Sequence, residues 1–462
     1  MPDLHYGAMT QQQYSTMRKI TLYVCILVSM LLASCDDFLD IQPTGKVIAK
    51  TYDEYRALIT DVYNNFPDDR SLTTLRTDEM TLDPSVTTSE DLSSYFDIWT
   101  WKDVAQDENT ATYSWRRFYH NIYIANYIIE HEKDITEGTT ADIKQLVGEA
   151  YMVRAYSHFI LVNMFGKPYT KCDPSTTLAV PLSVEADVDK VLSRSTVGAV
   201  YTQIIRDIQA AKENLNVDEW EAQLRYRFNT LSADALEARV RLYMGDWDGA
   251  LKAAKTVVTA HPALENLTSS TFTMPDNYQS SEAIVCLEQV MKSAYKGIGM
   301  PNVNFIQSYR TGDMRKSRFF KAQTSRLYTL TKGGDQLSRS TFRSAELYLT
   351  AAEAAARLND KETAMEYIKP IIATRYMTAL QPTIISEMQQ KDADQLVSAI
   401  LDERAHELCF EGHRWFDLRR TTQPEITKAY NGVSYTLSEG DSRYTMPIPS
   451  EAISANPSLG EE

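Results

Sequence analysis

The stretch ALEARVRLYMGDWDGALKAAKTVVTAHP (235 to 262) limits the possible folds more than any other. Leu236, Val240 and Tyr243 recur at helical spacing, Gly245 and Asp246 interrupt, and Ala250, Ala254, Val257 and Val258 resume the period until Pro262. Two short helices with one apolar face each, joined by so brief a break, must fold back on one another to bury those faces. Ala250 and Ala254 are small enough for the point where two helix backbones approach closely. A second copy, AELYLTAAEAAARLNDKETAMEYIKPII (345 to 372), has Asn359-Asp360 at its turn and Ala364 in the gap. Such units hide their apolar faces only by stacking, so a scaffold of repeated hairpins is predicted.

The glycine, alanine and proline spacings are those of the tetratricopeptide hairpin. Further amphipathic helices are RFYHNIYIANYIIE (117 to 130, with Phe118, Ile122, Ala125 and Ile129 on one stripe), GEAYMVRAYSHFILVNMFG (148 to 166) and TVGAVYTQIIRDIQAAKENL (196 to 215). The expected fold class is therefore mainly α, a tetratricopeptide-like scaffold with helical repeats over about 115–262 and 343–420. Two regions break the rhythm. Residues 81–114 are rich in Ser, Thr and Asp yet carry Tyr95, Phe96, Trp99 and Trp101, and residues 263–342 mix Gly, Pro and Asn with aromatics. Loops of this length inside a domain are functional or disordered, and the aromatic content argues against disorder.

Before the domain, Arg18 and Lys19 precede an apolar run from Ile20 to Leu32, followed by the small residues Ala33 and Ser34. That is a secretory signal, too short for a membrane span of roughly 20 apolar residues. It assigns 1–34 to a leader, and 35–50, with Pro43 and Gly45, to a tether ahead of a single domain over 51–462. Residues 1–16 fit no part of a signal, so translation is expected to start at Met17.

The composition, 43% apolar and 24% charged, is that of an ordinary globular protein. Removing Asp3, Arg18 and Lys19 with the leader takes the net charge from -15 to -16. Such a surface repels phosphate, which makes nucleic acid and anionic lipid poor partners. Cys25 leaves with the leader and Cys35 stands at its boundary, so Cys172, Cys286 and Cys409 form no framework; one bridge leaves one of them unpaired.

Little in the chain proposes catalysis. His406-Glu407 starts like HExxH, but the next histidine is His413, off the required face. No GxSxG, phosphate-binding glycine loop or catalytic-cysteine motif is present, and no cofactor or metal is expected. Glu403, Glu407 and Glu411 share one helix stripe, with Arg404, Arg414, Arg419 and Arg420 in reach across Gly412, and Trp415, Phe416 and Leu418 add an apolar side. This reads as a clasp of ion pairs and aromatics, since glycoside hydrolysis needs two acids facing across a cleft.

The segment ILDERAHELCFEGHRWFDLRR (400 to 420) resembles the C-terminal signature of the SusD/RagB family of outer-membrane lipoproteins, through Glu403, Arg404, Glu407, Glu411, Gly412, Arg414, Trp415, Phe416, Asp417 and Arg419. Other landmarks agree in order: GEAYMVRAY with FGKPY, the 235–262 hairpin, GDMR (312 to 315), RSAELYLTAAEA and YTMPIPSEAISANP (444 to 457). Leu32-Ala33-Ser34-Cys35 resembles a lipobox, which makes Cys35 the expected lipidation site. Two departures are YIKPIIATRYM, where the family has an LNxVRxRAG-like phrase, and a short 263–342 region.

The resemblance implies a surface-exposed, lipid-anchored outer-membrane protein. It would capture a glycan or a peptide and pass it to a SusC-like TonB-dependent transporter. Sugars stack their C–H faces on flat rings beside Asn, Asp, Gln or Arg. Trp99, Trp101, Tyr95 and Phe96 are thus the first candidate ligand residues, and Tyr309 and Arg310 the second. The same rings equally suit loop anchors in the core. Three readings stand: a glycan-binding lipoprotein, a peptide-binding relative, and a helical scaffold that only assembles envelope proteins.

Overall fold

Helix α1 (Tyr52–Asn64) starts where a Thr-x-x-Glu box predicts a start: the Thr51 hydroxyl accepts from the Glu54 amide, and the Glu54 carboxylate accepts from the Thr51 amide at 2.9 Å. The computed structural model describes residues 49–324 and 326–460, so the leader, Met17, Cys35 and most of the tether lie outside the described residues. Contacts divide the chain after Ala49, and Lys50–Glu462 form one unit.

The longer helices that follow are α2 (Glu90–Trp99), α3 (Trp115–Glu130), α4 (Thr140–Phe165), α5 (Val197–Asn214), α6 (Thr230–Met244) and α7 (Trp247–Ala260). After the loop-rich middle come α8 (Ser344–Arg357), α9 (Lys361–Arg375), α10 (Gln381–Gln390), α11 (Ala393–Glu407) and α12 (Arg414–Arg420). From α3 to α9 each of these helices packs on the next, and α8 also packs on α11, which gives the stacked scaffold its continuous core.

The two predicted hairpins form as their sequences require. Gly245 closes α6 in the left-handed region (φ 76), where its amide reaches the Arg241 and Leu242 carbonyls, and Asp246 caps α7 through the Gly249 amide at 3.0 Å. Asn359 (φ 62) and Asp360 repeat this between α8 and α9. Ala250, Ala254 and Ala364 are fully buried at the close approaches. Pro370 sits inside α9 without ending it.

The two irregular regions hold more local structure than their composition suggests. Ser89 caps α2 within 81–114, and Leu92, Ile98 and Trp99 turn inward from that helix. The 263–342 region pairs three short antiparallel ladders: Ala283–Val285 with Phe342–Arg343, Gly299–Pro301 with Met80–Leu82, and Phe320–Ala322 with Tyr328–Leu330. A C-terminal hairpin joins Ile426–Tyr430 to Val433–Leu437 through Asn431-Gly432, both at positive φ. Under these loops lies a second core, built on Leu75, Met80, Ile98, Trp99, Tyr295, Ile306, Phe319 and Phe410. Among the described residues no helix is long and apolar enough to cross a membrane.

Candidate functional site

The structure withdraws both tryptophans from the ligand face. Trp99 and Trp101 are fully buried, because they wrap a cation that the chain supplies itself. Lys428, from the C-terminal hairpin, sits 4.2 Å from the Trp101 ring centroid and 5.2 Å from that of Trp99. Its ammonium donates to the Leu75 carbonyl at 2.6 Å and the Trp99 carbonyl at 3.2 Å. Burial, then the nearby Arg76, push Lys428 well below its ordinary value. Trp101 adopts φ 57, which turns its indole N–H onto the Arg76 carbonyl at 2.8 Å.

Tyr309 is corrected for the same reason: it is 2% exposed, stacks on His406 at 4.1 Å and donates its hydroxyl to the His406 carbonyl. Arg310 is at the surface, paired with Glu387 at 2.9 Å. Tyr95 and Phe96 are half-buried on the rim of the second core, Tyr95 edge-on to Tyr295, and Phe96 against Trp99, Tyr430 and Tyr435.

The signature residues are packed in the interior, with partners other than those expected from sequence. Glu403 pairs with Arg315 at 2.7 Å, Glu407 with Arg343 and Arg375 at 2.8 Å each, and Glu411 with Arg343 at 2.8 Å and Lys332 at 2.5 Å. None of these cations belongs to the 400–420 segment. Arg404 and Arg420 instead serve Asp417 and Glu353, Arg414 serves Asp78, and Arg419 donates to the Tyr444 and Gly166 carbonyls. Burial alone would raise the Glu407 carboxyl, but Arg375 and Arg343 outweigh it and hold it well below the usual range. Gly412 (φ 72) lets the turn after α11 lie on the backbone of Arg70, where a Cβ would come within 2.7 Å. Trp415 stacks on Tyr444 at 5.1 Å, and Phe416 is buried beside it in sequence. A carboxylate network so enclosed offers a ligand no approach.

An open cleft of about 360 Å3 lies elsewhere, where the end of α1, the 215–229 linker and the 263–342 region meet. Its walls are Tyr63, Asn64, Ala222, Gln223, Tyr226, Tyr278, Cys286, Leu287, Gln336 and Arg339. Tyr63 is anchored by donating to Glu149 at 2.9 Å, and the Tyr226 ring stands edge-on to it at 5.5 Å. Tyr278 is held by its backbone: its amide donates to the Leu337 carbonyl at 3.0 Å, and its carbonyl accepts from Arg225 at 3.1 Å. Arg339 is steadied by donating to the Leu287 carbonyl at 2.9 Å.

Tyr226 and Tyr278 are half-exposed, and the side-chain amides of Asn64 and Gln223 have no partner among the described residues. The cleft thus presents flat rings, free amides and one guanidinium, with no carboxylate on its walls. Cys286 is no nucleophile, since burial pushes its thiol up to about 12. The arrangement can hold a ligand that combines hydroxyls with apolar C–H faces. Sequence reasoning flagged the 263–342 region but not Tyr278 within it, although DNYQSS (276 to 281) has the same ring-among-polar pattern that drew attention to Trp99.

A family model described as "Starch-binding associating with outer membrane" matches residues 37–242, and the SusD family model matches residues 270–461. SusD-like protein P38 of Formosa agariphila is 22% identical, over 90% of this chain and 94% of its own. SusD-like protein P25 of the same organism is 21% identical, over 96% and 98%. Among solved structures, a SusD superfamily protein from Bacteroides thetaiotaomicron superimposes with a TM-score of 0.73 at 22% identity, covering 88% of this chain and 99% of that one. A putative sugar binding protein from Bacteroides vulgatus gives 0.72 at 20% identity, covering 90% and 98%.

Proposed function

Because the chain belongs to the SusD/RagB family, we propose that it is a surface-exposed outer-membrane lipoprotein that binds a nutrient saccharide and delivers it to a SusC-like TonB-dependent transporter. The observation that carries the ligand assignment is the cleft in which Tyr226 and Tyr278 flank the unpaired amides of Asn64 and Gln223. A pyranose stacks on such rings through its C–H face while its hydroxyls replace water at the amides and at Arg339. The relatives named above for sugar or starch binding support the same ligand class. Attachment rests on acylation of Cys35, for which the leader in the sequence is the support. No bond-breaking step is assigned, since the cleft walls carry no pair of carboxylates.

The test is affinity electrophoresis of the full-length protein in detergent through gels cast with a panel of polysaccharides. At least one polysaccharide should retard the native protein, and Tyr226→Ala with Tyr278→Ala should remove that retardation while circular dichroism stays unchanged. A double variant retarded like the native protein would move the ligand away from this cleft, and copurifying peptides with no sugar response would replace the saccharide. Mass spectrometry of the mature N-terminus should find acyl chains on Cys35, and pull-down from native membranes should recover a TonB-dependent barrel.

A further inference from the structure

A cavity of about 470 Å3 opens beside the start of α3, and Thr112, Ser114, Arg116, Arg117, His120 and Glu451 are among its lining residues. Arg116, Arg117 and His120 are exposed, and none of the three has a hydrogen-bond or ion-pair partner among the described residues. Arg56, Arg70, Arg76, Arg154, Arg239 and Arg343, all less exposed, each lie within 3.1 Å of a carboxylate, while the exposed Arg206 is the like case of a lone arginine. What sets Arg116 and Arg117 apart is that they line one cavity together with His120. Acids outnumber bases 62 to 47 in the chain, so the free guanidiniums do not reflect a shortage of counter-charges. Glu451, on the same lining, is beyond bridging distance of both guanidiniums and of His120.

The cluster works against its own helix. Its two arginines stand in a first turn that holds no acid of its own, where cations oppose the helix dipole. Ser114 gives no side-chain cap there, and its hydroxyl instead donates to Asp69 at 2.9 Å. A bound anion would offset this unfavourable placement and give both guanidiniums acceptors.

We propose that this cavity binds the oxyanion of an acidic saccharide, a uronate carboxylate or a sulfate ester. The guanidinium forks of Arg116 and Arg117 grip its oxygens, and His120 contributes a further N–H donor. Thr112 lies on the lining to meet ring hydroxyls. The inference takes from the proposed function only the saccharide class; recognition of the oxyanion stands on the cations themselves.

The experiment is calorimetric titration of the full-length protein in detergent with a galacturonic acid trisaccharide, a sulfated galactan oligosaccharide, the neutral galactose trisaccharide, inorganic sulfate and anionic phospholipid vesicles. At least one acidic oligosaccharide should bind, weaken as salt is raised, and lose at least tenfold in affinity in the Arg116→Ala, Arg117→Ala double variant. The lysine pair Arg116→Lys, Arg117→Lys keeps the charge without the fork and should fall between. Tyr278→Ala should leave acidic binding intact, so neutral binding unchanged in that variant would count against the proposed cleft and spare this site. Failure of both acidic ligands, or equal acidic binding by native and double-alanine proteins, would overturn the inference. Inorganic sulfate or vesicles binding as tightly as the oligosaccharides would overturn its saccharide assignment.

Discussion

Two aromatic pairs in this protein look alike in sequence and do opposite things. Trp99 and Trp101 sit among Ser, Thr and Asp, and Tyr226 and Tyr278 sit among Arg, Asn and Gln. The tryptophans close over Lys428 and leave no face to solvent, whereas the tyrosines stand half-exposed over unpaired amides. The difference lies in what reaches the rings from far along the chain. A hairpin more than 300 residues later brings its own cation to the tryptophans, as the separation of 329 between Lys428 and Trp99 shows. Of the residues that frame the tyrosines, Asn64 and Gln223 keep their amides free among the described residues.

That contrast breaks most sharply with Trp101→Ala. Removing a fully buried indole should cost about 3–5 kcal/mol in a denaturant titration, with any loss of ligand following from the loss of fold. A stable Trp101→Ala protein that no longer binds sugar would reverse the roles given to the two pairs.

Next in size is Glu79→Gln, in the buried neighbourhood of the tryptophans. Burial, and then Asp78, push the Glu79 carboxyl up to about 8, while in the unfolded chain it titrates near the ordinary carboxylate value of about 4.3. The folded state therefore holds the extra proton between those values, and this group's contribution to stability falls as pH rises across that window. Glutamine removes the slope, so melting curves at pH 8 and above should show the variant more stable by roughly 1–3 kcal/mol. No difference in slope between the variants from pH 5 to 8 would contradict this account.

Tyr278→Ala comes third. It should leave stability within about 0.5 kcal/mol while weakening saccharide binding by about 0.5–1.5 kcal/mol, read by titration. A large drop in stability would make Tyr278 a core residue like Trp99. The smallest effect belongs to Arg310→Ala: its pair with Glu387 is exposed on both sides, so stability should move by no more than about 0.5 kcal/mol and binding not at all.

What was legible in the sequence follows from how local each feature is. The hairpins around Gly245 and Asn359 are written in adjacent residues, through spacing, cap and small-residue gaps, and they form accordingly. Of the apolar stripe, Phe118, Ile122 and Ala125 are likewise buried, while Ile129 is only partly covered and Ile128 takes the inward place. The ligand rings were misjudged because exposure in loops depends on distant partners: nothing near Trp101 announces Lys428, and nothing near Tyr309 announces His406. The pairing of Glu407 was misread for a related reason. Helical spacing identifies neighbours within one helix, but Arg343 and Arg375 arrive from 64 and 32 residues away.

The seam at Gly412 has a consequence for how the chain is made. Arg70 donates to the Glu411 carbonyl across 341 residues, Arg414 clasps Asp78, and the Phe410 amide donates to Glu79. The opening turns of the domain are thus finished by its last helices. A nascent polypeptide lacking them keeps Arg70, Asp78 and Glu79 without these C-terminal partners, so closure waits until synthesis is complete. A copy terminated before Phe410 would lack all three contacts at once and leave the opening turns of the domain without their closing partners.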